Sequence, residues 1–151
     1  MKIILVLVFS LVAISANADV KKTTKKVAQK KIARMRAPAS SDQSILLKQH
    51  PEIKADCAPK APEVLNLDVR LNPAEHEDLI ASCPSNCGMG GCPYSIYAFE
   101  NGGYRKIAEF FGLFDVLPEE SHGFHDISVH GSMGSDVKQD YVLKFDGQKY
   151  N

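Results

Sequence analysis

Four cysteines carry the densest chemistry in the chain, and three of them, Cys83, Cys87 and Cys92, fall within ten residues, with Cys57 upstream. A Cys-x3-Cys-x4-Cys run can ligate a metal as thiolates, supply a nucleophile, exchange electrons or close as disulfides. Zinc sites pair cysteines two to four residues apart and need a fourth ligand, here Cys57 or a histidine. A thioredoxin-type centre or a haem attachment needs Cys-x-x-Cys, which the chain lacks. A cysteine nucleophile needs an unpaired thiol, and an even count leaves none over. In an exported chain four cysteines read first as two disulfides. Of three connectivities, the arrangement favours Cys87–Cys92 closing a glycine-rich bend and Cys57–Cys83 tying the domain entrance to the end of a strand.

A second candidate set is His122, Asp126 and His130. In an extended segment Asp126 and His130 share one face, His125 sits on the other, and His122 swings in from a turn. Such a set can bind a transition metal or serve a small hydrolase. The competing reading makes the histidines turn residues and Asp126 a local partner, since a metal needs three or more convergent ligands. Glu75, Glu77 and Asp78, with Asp68 and Asn72, form an acidic loop. A calcium loop wants a glycine at its sharp turn, and Pro73-Ala74 stands there instead. No nucleophile elbow, His-Glu-x-x-His or phosphate-cradling glycine loop is present. The expectation is no catalytic residue, no resident metal and no cofactor.

The elements that must position these residues are short. Three glycines and two prolines between Ser82 and Tyr94 exclude a regular helix or strand there. Ser41 to His50 reads as a helix, N-capped by Ser41 and ended by Pro51. Cys57 to Pro62 reads as an extended entry. Leu65, Leu67, Val69 and Leu71 alternate with polar residues, as in a half-buried strand. Further strands are expected at Leu79–Ala81, Tyr94–Phe99, Tyr104–Phe111 with Gly112 breaking it, Val116-Leu117, Ile127–Val129 and Tyr141–Phe145. Asn101-Gly102-Gly103, His122-Gly123 and Asp146-Gly147 supply turns. The predicted fold is mainly β: an antiparallel meander of about seven short strands with one short N-terminal helix, disulfide-stapled.

The N-terminal residues point to export. Met1-Lys2, an apolar run from Ile3 to Ile14 and Ala16-Asn17-Ala18 make a signal-peptide pattern over residues 1–18. The run is shorter than the ~20 residues that span a bilayer. Residues 19–40 read as a basic flexible arm carrying Lys21, Lys22, Lys25, Lys26, Lys30, Lys31, Arg34 and Arg36. Residues 41–151 form a single β-rich domain. From residue 37 onward nine Lys/Arg face seventeen Asp/Glu, so an acidic body carries a basic arm. The arm suits an anionic surface or its own acidic domain, and export sets nucleic acid aside as a partner.

Several short stretches fall in a recognisable order: Leu67-Asp68-Val69-Arg70-Leu71-Asn72, Asn86-Cys87-Gly88-Met89-Gly90-Gly91-Cys92-Pro93-Tyr94 and Gly102-Gly103-Tyr104-Arg105. Gly123-Phe124-His125-Asp126-Ile127 and Phe145-Asp146-Gly147-Gln148-Lys149-Tyr150 follow. Residues 64–150 thus resemble small exported bacterial β proteins with FG-GAP-like motifs. The resemblance implies a β fold and export and brings no activity; the family's calcium-loop form, with a second Asp followed by Gly, is absent here. The expected function is a non-enzymatic secreted or periplasmic interaction protein that binds an envelope component or inhibits a secreted enzyme. The alternative is a small metal-binding protein or hydrolase using His122, Asp126 and His130.

Overall fold

A computed structural model describes residues 35–72, 75–132 and 138–151. The expected signal peptide, and Lys21, Lys22, Lys25, Lys26, Lys30, Lys31 and Arg34 of the arm, lie outside the described residues, as do parts of the loops around Pro73 and Ser135. Six strands follow one another as an antiparallel meander: β1 Glu63–Asn66, β2 Leu79–Ser82, β3 Cys92–Glu100, β4 Gly103–Ser121, β5 Phe124–Ser132 and β6 Lys138–Leu143. Two helices precede them, α1 Ser40–Gln49 and α2 Glu52–Cys57. The mainly β, antiparallel class holds, with six strands for about seven and two helices for one.

Both differences have a local cause. Gly112, expected to break a strand, bends it instead. At φ 146° it carries β4 from pairing with β3, through Cys92↔Gly112, to pairing with β5, from Leu113↔His130. Tyr104–Phe111 and Val116-Leu117 are therefore one 19-residue strand. Pro51 ends α1 and also opens α2, where it is the N-cap at φ −63°, ψ −22°. The ring fixes φ near the helical value and the first-turn N–H needs no partner.

The sheet is buried on both faces where β2 and β3 run. Ile80, Ile96 and Ala98 point inward to a core with Leu67, Val69, Ile107, Ile127 and Val129. Leu79, Ala81 and Tyr97 point outward to Leu46 of α1, Ile53 of α2 and Tyr104 of β4. All four β2 residues are buried, which explains the unbroken apolar Leu79-Ile80-Ala81 run. After β1 the chain crosses to β5. Arg70 bridges Phe124, the Leu71 N–H donates to the Gly123 carbonyl, and the His125 N–H donates to the Val69 carbonyl. The C-terminus lies against the inner core. The Tyr150 N–H donates to the Ile107 carbonyl at 2.7 Å, and its hydroxyl donates to the His125 carbonyl at 2.7 Å. Asp146 accepts the Gln148 and Lys149 N–H groups at 2.8 Å each, which holds its carboxyl down at about 2.

Cys57 pairs with Cys83, and Cys87 with Cys92, the pairing favoured by their arrangement. The first bridge joins the end of α2 to the residue after β2, so it holds the helix layer on the sheet. It spans 26 positions, for which the chain-entropy account gives about 3–4 kcal/mol. A Cys57→Ala/Cys83→Ala variant should lose that much unfolding free energy in urea titration, against ~2 kcal/mol for Cys87→Ala/Cys92→Ala.

Arg70 and Asp78 form the buried ion pair of the inner layer, with Arg70 Nη2 2.8 Å and Nε 3.2 Å from the two carboxylate oxygens. The guanidinium also lies 5.1 Å from the Phe124 ring centre. Burial raises the Asp78 carboxyl above its ordinary 3.8, and Arg70 pulls it back. A raised folded-state value means that Asp78 favours folding most below 3.8 and loses that contribution as pH rises through the folded value. Removing Arg70 enlarges the shift. Arg70→Met should cost about 3–5 kcal/mol at neutral pH, and the loss should shrink as urea titrations are repeated toward pH 4.

Candidate functional site

The helix layer covers only part of the outer sheet face. Along that face the cross-strand rows are Tyr97↔Lys106, Ser95↔Glu109 and Pro93↔Phe111. Tyr97 lies under the helices, while Ser95, Glu109, Pro93 and Phe111 lie beyond them. The step leaves a cleft of about 360 Å³, walled by Glu52, Ile53 and Asp56 of α2 and by Asn86 of the 3-10 turn Pro84–Asn86. Ala81, Ser82, Ser95 and Tyr97 line it from the sheet, and Lys106 and Glu109 from β4. Cys83 lines it too, and its bridge to Cys57 joins the end of α2 to the residue before the 3-10 turn.

Charge in the cleft is unbalanced, with three carboxylates and one ammonium. Lys106 Nζ lies 2.7 Å from Glu109 Oε2, and this pairing raises the ammonium above its ordinary value. Glu52 is held below the usual glutamate value by backbone hydrogen bonding and by His50, whose Nδ1 is 2.9 Å from Glu52 Oε1. Burial pushes the Tyr97 phenol up, so it stays a neutral hydroxyl in the cleft. A carboxylate held low is a poor proton donor. Glu52 therefore does not suit the raised acid of an acid–base pair.

Beside the cleft stands the closed ring Cys87–Cys92. Gly88 and Gly91 exchange both backbone hydrogen bonds, at 2.8 and 3.1 Å, so Met89 and Gly90 form a clamped turn with the Met89 side chain fully in solvent. The ring sits directly against the β4 bend. A Cβ on Gly91 would fall 2.2 Å from the Gly112 carbonyl carbon, a distance only glycine permits. Phe111 and Leu113 flank that bend, and Leu113 is 62% exposed. An apolar rim thus continues the cleft.

The residues singled out from sequence end up apart. His122 Nδ1 donates to the Phe145 carbonyl at 2.8 Å. Asp126 is buried opposite the bulge at Leu117-Pro118-Glu119, with Lys144 Nζ 3.6 Å from one oxygen. His130 lies four residues along β5, roughly 13 Å away at strand rise. Among the described residues no group of three His, Cys, Asp or Glu is placed to hold a metal ion. Instead, His130 Nε2 is 3.1 Å from Ser128 Oγ, and Nδ1 is 3.1 Å from Asp140 Oδ1. That chain has the order of a hydrolase triad without its surroundings. It lies on an open sheet face, Ser128 is strand-paired to Asp115 and Val142 on its two sides, and Asp115 Oδ2 stands 3.6 Å from the same Nε2.

Arg36, expected within the flexible arm, is docked. It bridges Asn66 on the β1 edge and pairs with Glu77. Two features had no sequence signal. Asp42 and His76 meet at 2.8 Å across 34 positions, joining α1 to the acidic loop, with His76 tilted on Phe99. The cleft itself depends on α2, which the reading of Pro51 as a stop conceals.

No protein-family model, curated protein or solved structure matches the chain. The FG-GAP-like resemblance rests on the quoted residues alone. If the apolar rim is surface and not core, Phe111→Thr and Leu113→Thr should each change unfolding free energy by less than about 1 kcal/mol. Ile96→Ala, fully buried, should cost about 2–5 kcal/mol in the same titrations.

Proposed function

We propose that the chain is a non-enzymatic interaction protein that works outside the cytoplasm, secreted or periplasmic after cleavage near Ala18. Its two disulfides are compatible with an oxidising compartment, and among the described residues no helix is long and apolar enough to cross a membrane. The partner is an envelope component or a secreted enzyme. One observation carries the reading: the sheet face at the cysteine hub extends past its helix cover and ends in an exposed apolar rim on a covalently closed ring. A rim held rigid before contact loses little conformational freedom on binding, which is the condition for tight recognition over a modest area. Exposed Leu113 and Met89 add nothing to the protein's own core.

Phe111→Thr/Leu113→Thr protein, checked for native melting, should fail to retain the partner that wild type captures from the native envelope fraction. Equal capture by both would remove the rim from the binding surface.

A further inference from the structure

We infer that the hub cleft takes a lysine or arginine side chain from a basic segment of the partner. This rests on the interaction reading above and gives it a chemistry. Carboxylates reach the rim from two different elements: Glu52 and Asp56 from α2, and Glu109 from β4. The one ammonium, Lys106, is already committed to Glu109. An apolar or anionic occupant would desolvate Glu52 and Asp56 without replacing their solvation, whereas a cation with its own donors replaces it directly. The uncharged lining adds acceptors for those donors, namely the hydroxyls of Ser82 and Ser95 and the Asn86 amide. A cleft of this volume is at the lower end of the ~300–1,000 Å³ range for small ligands, which suits a side chain better than a folded surface.

The body from residue 37 onward, with seventeen acids against nine bases, favours a cationic segment near the cleft, while residues 19–36 carry eight bases against one acid. The chain's own described cationic end is engaged elsewhere. Arg36 pairs with Glu77, and its antiparallel bridge to Asn66 sets Met35 on the Leu67 side, away from Glu63, which lies opposite Ser82 of the cleft.

The test is calorimetric titration of the full secreted protein with N-acetyl-pentalysine amide at low salt, with backbone amide shifts to locate the contact. Glu52→Gln/Asp56→Asn should weaken binding about tenfold or more, while the distant pair Asp115→Asn/Asp140→Asn should change it less than about twofold. Shifts should centre on Ser82, Asn86 and Ser95. Equal weakening by both pairs, or no lysine-peptide binding to the wild type, would overturn the inference. Retention of the envelope partner by the Glu52→Gln/Asp56→Asn protein would overturn it too. In that last case capture still lost in the Phe111→Thr/Leu113→Thr protein would leave the interaction reading standing.

Discussion

The Cys57–Cys83 bridge is the constraint on which the rest depends, because it fastens a helix layer to a sheet that needs cover on both sides. Leu79, Ala81 and Tyr97 would face water without α1 and α2, yet those helices are ten and six residues long. Helices that short are marginal by themselves and derive their stability from packing. A covalent link from the last residue of α2 to the end of β2 removes much of the freedom such a layer would otherwise have. The same link fixes one wall of the cleft relative to its floor.

The second ring has a different role. Cys87–Cys92 closes too short a loop to contribute as much to stability, but it shapes a surface. Gly91 against Gly112 brings two backbones closer than any side chain allows, and this contact seats the ring on the bend of β4. The bend redirects β4 from β3 to β5, and it is also where Phe111 and Leu113 emerge. Fold continuity and the apolar rim therefore share one glycine pair.

Much of the architecture was legible because local rules were obeyed. Asn101-Gly102-Gly103 turns where glycine composition says, Asp146-Gly147 closes the terminal turn, and the spacing of the cysteines matches their pairing. The misreadings have physical reasons. Proline and glycine are read as stops, yet Pro51 also starts α2, and Gly112 bends a strand without ending it. Pro118, which has no N–H for the ladder, falls in the bulge between Val116 and Glu120 and so does not interrupt β4 either. The candidate site was less legible. Glu52, Asp56, Lys106 and Glu109 converge only when α2 lies on the sheet, and no local pattern encodes that docking. Strand parity groups His130 with Asp126, but the sheet pairs it across strands with Asp140.

The sheet is thus covered on both faces along β2 and β3, and where the helix cover stops the cleft carries charge, hydroxyls and an apolar rim within reach of one partner. One wall of the cleft and the turn beside its rim are tied to the sheet by the two disulfides. Proteolysis of the unreduced secreted protein followed by mass mapping of linked peptides tests this most directly. The account predicts one species joining the peptides of Cys57 and Cys83 and another joining those of Cys87 and Cys92. Recovery of Cys57 as a free thiol, or linked to Cys87 or Cys92, would contradict it.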